Sequence, residues 1–457
     1  MSPFVILAVA MVVVVGMILV LRMNAFLALI TAALLVSLLS PGEFATKVTR
    51  VAEAFGSVVG AIGIVIALAS VTGKCLMDSG AADRIVRTFL RVLGEKRASF
   101  ALLGSAFVLS IPVFFDTVFY LLVPLARSLW KRTRKNYVLY ITAIVAGAAT
   151  THTLVPPTPG PLFAADRLGI DMGLMIVIGI LVGLPTGIVA LVVCGVINRL
   201  MDVPMRPYVG QTETEPLPDE QLPPLWASLL PVVLPVLLIS AHTVAKAVAG
   251  SNNAGGFAQD ITAVTSILGN PNLALLVSAA VAMGLVVWRR GLSLKELTTR
   301  VDDALLSGGI VILITASGGA LGAMLRVAGI QEAVGSLIGT GGNVVGVVIL
   351  LLAFLVAGLI KFAQGSSTVS IITTASMFAA MGITPEMLGC NPVYLATTIC
   401  SGSLVGDWLN DSGFWVVARM SGLTETETLK TFTVITGVVG LTGFGVALIL
   451  SRLMPLL

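Results

Sequence analysis

Long apolar segments, repeated from one end of the chain to the other, constrain the possible folds more than any other feature. Many of them exceed the roughly 18 residues that cross the hydrocarbon core of a bilayer as a helix. Of 457 residues, 57% are apolar and 11% are charged, whereas a soluble protein carries about 25% charged residues. So few charges cannot cover a water-facing surface. Because only helices and closed barrels satisfy the backbone in lipid, and uniform apolarity excludes alternating barrel strands, we predict an all-α polytopic membrane protein.

The apolar pattern predicts about ten full spans and two less regular stretches. No cleavable signal sequence is visible, because Met1 leads directly into apolar sequence and a second span follows at once. The full spans are placed at roughly 3–21, 24–41, 56–74, 137–165, 172–199, 225–248, 272–289, 304–325, 391–417 and 429–453. The irregular stretches lie at about 98–126 and 343–382.

Clusters of basic residues predict the topology. Lys and Arg are concentrated in residues 84–97 and 127–135, and cytoplasmic loops collect these residues. The apolar stretch between the two clusters must then enter and leave the membrane on the same side. A re-entrant hairpin over 98–126 fits this better than the alternative of two short complete spans. Extended along the chain, the pattern places the N-terminus outside and residues 200–224 and 289–303 inside.

Internal similarity divides the chain into two halves. The segment Gly73–Gly80 resembles Gly322–Gly329, and Ala-Thr-Thr recurs at 149–151 and 396–398. The first half contains an odd number of crossings, so the second half is expected to be inverted, which is a common transporter plan. We therefore predict an N-terminal inverted repeat over 1–200, a polar, Pro-rich cytoplasmic linker over 201–224, and a C-terminal inverted repeat over 225–457.

Four polar interruptions, two in each half, break the apolar pattern. Residues 112–117 and 361–368 lie within the two predicted hairpins, and residues 151–161 and 402–413 break the spans at 137–165 and 391–417. Proline removes a backbone donor and clashes with the preceding turn, and unwound backbone at membrane depth is tolerated only where it lines a cavity. The N-termini of the resulting half-helices then direct N–H groups and positive dipole ends at that cavity, an arrangement that suits a carboxylate.

Ionisable residues within membrane segments are costly and usually functional. We assign Asp116, His152, Asp407 and Asp411 as candidates for proton coupling, because His titrates near neutral pH. Structural alternatives remain for each of them: Asp116 or one of the other two carboxylates would cap a half-helix, and His152 would satisfy freed carbonyl groups. Lys361 offers a positive charge to an anion, or instead extends to the outer interface.

The candidate substrate ligands share a hydroxyl, amide, ammonium or flexible backbone group close to the four interruptions. They are Thr117, Thr153, Thr158, Lys361, Gln364, Gly365, Ser366, Ser367, Thr368, Asn410 and Ser412. Such a set binds a small organic anion or a polyol, and we expect no metal ion, other cofactor or nucleic-acid partner.

These segments also resemble the gluconate permease family, within the ion-transporter superfamily. The similar motifs are IPVFFDTVFYLLVPLARSLWKRTRK from Ile111, HTLVPPTPGP from His152, AQGSSTVSIITTA from Ala363 and NDSGFWVVARMSGLTETETLKTFTV from Asn410. The resemblance implies a multi-pass carrier in the bacterial inner membrane, surrounded by lipid, that moves gluconate or a related sugar acid together with a proton. It further implies a homodimer and an elevator-type mechanism.

Two positions depart from the pattern of the family. Thr158 occupies a position where the family usually has histidine, and Asp407 lies where the family often has Ser-His shortly before the Asn-Asp pair. An alternative function is therefore a carrier of the same fold for D-serine or another small carboxylate, driven by sodium. An intramembrane enzyme is disfavoured because HExxH, GxSxG and CxxC motifs are absent, and a channel because no filter sequence repeats.

Overall fold

The regular secondary structure of the described residues is entirely helical and contains no strand. A computed structural model describes residues 2–21, 23–201, 203–206, 218–249, 256–330, 333, 343–409 and 411–456. The helices are α1 (Pro3–Leu19), α2 (Ala25–Leu39), α3 (Thr49–Val58), α4 (Ile64–Asp78), α5 (Ala81–Leu93), α6 (Ala98–Leu109), α7 (Phe115–Thr133), α8 (Tyr137–Leu154), α9 (Pro159–Arg167), α10 (Met172–Leu200), α11 (Leu225–Ala249), α12 (Gly256–Leu268), α13 (Pro271–Arg290), α14 (Leu294–Val327), α15 (Asn343–Gln364), α16 (Ser367–Ala380), α17 (Pro385–Leu388), α18 (Val393–Gly402), α19 (Ser412–Ser421), α20 (Glu425–Thr428) and α21 (Val434–Leu453).

Seven helical segments in the described residues are long and apolar enough to cross a membrane, which confirms the polytopic all-α prediction. Each of them overlaps one of the ten predicted spans. The predicted spans at 3–21, 24–41 and 391–417 correspond to shorter helices instead, because α1 and α2 have 17 and 15 residues and the third is divided into α18 and α19.

Two predicted features are corrected by the structure. The basic segment 84–97 is largely helical, since α5 is an amphipathic helix rather than a loop, and most of the segment 127–135 forms the last turns of α7. Helix α12, which packs beside α11, was not predicted. Both α5 and α12 are short and carry polar residues, so apolar length does not detect them.

The end of the linker contacts two of the basic segments. Arg84 in α5 donates hydrogen bonds to the carbonyl oxygens of Pro223 and Asp219, at 2.7 and 2.8 Å. Arg289 at the end of α13 donates to the carbonyl oxygen of Glu220 at 2.6 Å. Two basic segments that the charge pattern places on the same side of the membrane as the linker therefore both contact it.

The two halves repeat one unusual packing arrangement. Helix α6 packs on α8 in the first half, and α15 packs on α18 in the second. A Cβ atom on Gly147 of α8 would lie 2.3 Å from the carbonyl oxygen of Leu103, and one on Gly402 of α18 would lie 2.3 Å from that of Phe354. The same close backbone approach thus occurs once before the linker and once after it, and the division into two inverted repeats stays a prediction.

Helices α8 and α9, on either side of one polar break, are enclosed by the rest of the described chain. The segment Tyr137–Arg167 comprises α8 and α9. In its most apolar stretch of 18 residues 89% of the residues are buried, compared with 33–50% in the corresponding stretches of the other six long segments. A helix this enclosed is covered by protein rather than by lipid. The polar break between α8 and α9 therefore lies where irregular backbone can be tolerated.

Candidate functional site

A cavity of about 440 Å³ lies where the four polar interruptions meet. The turn before α7 and the turn before α16 contribute to it, together with the last turns of α8 and the irregular segment between α18 and α19. The predicted site residues that line it are Asp116, Thr117, His152, Thr153, Gly365, Ser366, Ser367, Thr368, Asp407, Asp411 and Ser412. The structure thus brings together residues that are almost 300 positions apart in the sequence.

Hydroxyl groups are the most frequent polar groups on the cavity wall. Besides the threonines and serines of the four interruptions, Ser307 on α14 and Thr436 on α21 contribute hydroxyls. Neither residue was predicted, because each lies in an uninterrupted helical stretch that carries no break signal. Apolar wall residues, among them Val311 on α14 and Phe432 in the helical turn just before α21, complete the enclosure.

Lys361 lies at the centre of a buried ion cluster and does not line the cavity. Its side chain is fully buried, so it does not extend to a membrane interface. The ammonium group donates a hydrogen bond to the carbonyl oxygen of Gly365 at 2.9 Å and contacts the carboxylates of both Asp407 and Asp411. Two carboxylates therefore share one ammonium group.

Asp411 has a structural role in addition to this ion pair. One of its carboxylate oxygens accepts hydrogen bonds from the backbone N–H groups of Gly413 and Phe414, at 2.5 and 3.2 Å. The other accepts from Lys361. Asp411 is therefore the N-cap of α19 and occupies the donors that this half-helix would otherwise present to a ligand.

Asp116 and His152 face the cavity, and among the described residues neither side chain forms an ion pair or caps a helix. Asp116 lies in the first turn of α7, and within the described residues no donor forms a hydrogen bond with its carboxylate. The Nδ1 atom of His152 is buried and likewise has no hydrogen-bond partner there. The imidazole packs edge-on against Phe114, with ring centroids 6.1 Å apart. Both groups are consequently available to a ligand or to a proton.

Two helix N-termini remain open towards the cavity. At α7, the N-cap residue Phe114 has no side chain that accepts from the first turn. At α16, the side chain of Ser366 accepts from the N–H group of Val369, at 3.4 Å. The first turns of both helices line the cavity, so their unpaired N–H groups and positive dipole ends favour an anion between them.

The remaining predicted ligands are placed differently. Thr158 is buried, donates to the carbonyl oxygen of Val155 at 2.7 Å and does not line the cavity. Thr153 lines the cavity, although its hydroxyl also donates to the carbonyl oxygen of Ala149. Asn410 and the side chain of Gln364 lie outside the described residues.

Comparison with known sequences identifies relatives over nearly the whole chain. Residues 2–453 match the family model described as GntP family permease. The inner membrane permease YgbN of Escherichia coli K12 is 32% identical over 93% of this chain and 92% of its own length. The gluconate permease of Pseudomonas aeruginosa is also 32% identical, over 97% of this chain and 96% of its own length. The low-affinity gluconate transporter of Escherichia coli K12 is 29% identical over 95% and 94%, respectively.

Solved structures show a similar fold at much lower sequence identity. The YdaH transporter of Alcanivorax borkumensis aligns with a TM-score of 0.60 at 17% identity, over 94% of this chain and 98% of its own. The MtrF protein of Neisseria gonorrhoeae, described among antimetabolite efflux pumps, aligns with a TM-score of 0.62 at 14% identity, over 93% and 94%. At these identities the likeness concerns the fold alone.

Proposed function

Because this chain belongs to the GntP permease family and is a multi-pass membrane transporter rather than an enzyme, we propose that it carries gluconate or a related sugar acid across the bacterial inner membrane, coupled to protons. The names of two relatives refer to gluconate and that of a third to the inner membrane. The observation that carries the proposal for this chain is the cavity itself, which combines two open helix N-termini with a wall rich in hydroxyl groups.

The two parts of a sugar acid match these two features. A carboxylate binds to unpaired backbone N–H groups and to the positive end of a helix dipole, here in the first turns of α7 and α16. A polyhydroxy chain exchanges hydrogen bonds with serine and threonine hydroxyls, each of which both donates and accepts. Thr117, Thr368, Ser412 and the newly found Ser307 and Thr436 supply such groups around the same space.

The charges around the cavity support proton coupling. Lys361 provides one positive charge, whereas Asp116, Asp407 and Asp411 provide three carboxylates within or beside the site. An incoming anion would meet unfavourable like charges at close range. Binding a proton together with the substrate removes one of these charges, so the two ligands favour each other's binding by linkage.

Asp116 is the group to which we assign the coupling proton. Asp407 and Asp411 already share Lys361, and Asp411 also caps α19. The carboxylate of Asp116 has no comparable partner among the described residues and lies at the cavity surface. His152 is the second candidate, because its buried Nδ1 atom has no hydrogen-bond partner there.

Movement of the site past a fixed wall is the expected mode of transport. We propose an elevator-type movement in which the two hairpins and the broken helices move together relative to α14. A homodimer and an N-terminus on the outer side complete the proposal. The enclosure of α8 and α9 supports a moving unit that is covered by protein on most sides.

Uptake into proteoliposomes tests the proposed function. The purified protein should accumulate labelled gluconate when the outside is acidic, and a protonophore should abolish this accumulation. Unlabelled gluconate should compete better than D-serine or a dicarboxylate, and exchanging sodium for potassium should have no effect. Absence of gluconate uptake under the proton gradient would overturn the proposal. If uptake depends on sodium instead of the proton gradient, sodium and not the proton is the coupling ion.

The variant Asp116→Asn tests the assigned proton site. It should still exchange internal for external gluconate at equal pH, because exchange needs no net proton movement, but it should lose stimulation by the gradient. Asp302→Asn, an exposed carboxylate on α14, is the matched control and should behave as the wild type. If the proton gradient drives uptake by Asp116→Asn as strongly as by the wild type, Asp116 does not carry the coupling proton.

A further inference from the structure

A second, smaller cavity adjoins the site. It has a volume of about 170 Å³ and shares Phe114, Thr117 and Ser307 with the larger cavity. The hairpin turn before α7 therefore forms a partition between the two spaces. On the far side of this partition the wall consists of α4 and the beginning of α14, and it includes Ser70, Lys74 and Asp303.

The small cavity leads from the site towards one end of the molecule. Along α14 the site is lined by Ile314, Val311 and Ser307, whereas the small cavity is lined by Ser307 and Asp303. At about 1.5 Å per residue, this sequence of positions covers roughly 16 Å along the helix. It ends close to Arg300, which belongs to the basic segment 289–303 that the charge pattern places in the cytoplasm.

The positive charge of Lys74 is only partly compensated. Its ammonium group lies 3.4 Å from the carboxylate of Asp78, one turn further along α4. The same carboxylate also lies 3.4 Å from Arg300, and the carbonyl oxygen of Asp78 accepts a hydrogen bond from Arg290 at 2.8 Å. One carboxylate thus serves two cations, and the Lys74 side chain stays about one-third exposed.

We propose that the small cavity is the passage by which the organic anion moves between the site and the end of the protein that carries the basic segments, and that Lys74 is its anion-attracting group. The proposal rests on the proposed function for the identity of the anion. Lys74 raises the local concentration of anions, and Asp303 on the same wall prevents them from being held too tightly, since passage requires weak binding. Phe114 and Thr117 separate this passage from the site.

Contact between the hairpin and α4 fits this role. A Cβ atom on Gly73 would lie 3.3 Å from the carbonyl oxygen of Pro112 and 3.4 Å from the Val113 side chain. The turn that separates the two cavities therefore lies directly against α4, one residue from Lys74. A small displacement of this turn would join or divide the two spaces.

Cysteine labelling tests the passage independently of transport. The four native cysteines are buried, so unmodified protein serves as the background. Ser70→Cys should react with membrane-impermeant thiosulfonates added from the side of the basic segments and be protected by gluconate. A negatively charged reagent should react roughly tenfold faster than a positively charged one at low ionic strength. Ala69→Cys, on the same wall, is a second reporter if the first variant folds poorly.

Removal of the lysine charge tests the role of Lys74. Combining Lys74→Gln with either reporter should abolish the preference for the negative reagent, whereas Lys246→Gln, an exposed lysine elsewhere, should preserve it. The passage is overturned if both reporters stay unreactive in protein that transports gluconate, and the role of Lys74 is overturned if the preference survives its removal. A protein that shows the labelling pattern but no gluconate uptake refutes the proposed substrate and supports an anion passage.

Discussion

Substitution of Lys361 provides the sharpest test of the ion cluster beside the site. In Lys361→Met the side chain keeps a similar length but loses its charge, so Asp407 and Asp411 are left buried without a counter-charge and the Gly365 carbonyl loses its donor. Removing one partner of a buried ion pair typically costs about 3–5 kcal/mol. At about 2.1 cal/mol/K per residue, the unfolding entropy of a 457-residue chain is about 1 kcal/mol/K, so this corresponds to a decrease of roughly 3–5 °C in the apparent Tm.

A double-mutant comparison separates the ion cluster from general loss of packing. Asp407→Asn alone should cost less than Lys361→Met, because Lys361 keeps Asp411 and the Gly365 carbonyl as partners. In the double variant one uncompensated charge has been removed, so its free energy of unfolding should exceed the additive value by about 1–3 kcal/mol. Thermal unfolding in detergent, followed by tryptophan fluorescence, measures all three variants.

The control for this series is Lys295→Met, which removes an exposed lysine in the first turn of α14. It should melt within about 1 °C of the wild type, since exposed ion pairs contribute about 0–1 kcal/mol. The reasoning is refuted if Lys361→Met melts like this control, or if the two cluster substitutions are strictly additive. Either result would mean that the ammonium group does not stabilise the two carboxylates.

Two further predictions concern packing and the linker. Gly402→Ala should lower the apparent Tm, because the added methyl group would lie 2.3 Å from a carbonyl oxygen and overpacking costs about 1–3 kcal/mol. The control is Gly437→Ala, where nothing lies within 4 Å of the added methyl group, and it should be neutral or stabilising in the same thermal melts. Hydrogen bonding to Arg87 holds the pKa of Asp219 in the folded protein below its usual value of 3.8. This ion pair therefore stabilises the folded protein above about pH 3.8, and its stabilisation is lost as the pH falls through the lower pKa of the folded state. Asp219→Asn should therefore melt slightly below the wild type at pH 7, and the difference should shrink in melts recorded below about pH 3.8; an unchanged difference would contradict the ion pair.

Apolar length and proline position predicted much of the architecture, for physical reasons that also explain the errors. A helix that faces lipid must be apolar over its full length, so the long spans are visible in the sequence. Helices α5 and α12 are not subject to this requirement, because they are short and partly polar. The prediction of one continuous span at 391–417 was wrong, since the described residues 403–409 and 411 are not helical and separate α18 from α19.

The site was predicted in its location more than in its contacts. Prolines and glycines show where the backbone must leave the helical conformation, and the cavity lies where these interrupted segments come together. The partners of Lys361 lie 46 and 50 residues away in sequence, so their pairing follows from the packing of α15 against the segment before α19 and not from local pattern. Ser307 and Thr436 lie on continuous helical stretches and carry no local signal of their position in the wall.

The distribution of charge favours a monocarboxylate with hydroxyl groups over a dicarboxylate. No lysine or arginine is found among the described residues that line the cavity. Lys361, which lies beside the cavity, is paired with Asp407 and Asp411, so its charge is not available to a ligand. The positive potential available to a ligand therefore comes from the open N-termini of α7 and α16, each equivalent to about half an elementary charge. Together they can balance about one carboxylate. A second carboxylate on the substrate would face Asp116 without compensation, whereas a hydroxyl group at the same place would donate a hydrogen bond to it. A polyhydroxy monocarboxylate therefore matches this cavity better than a dicarboxylate does.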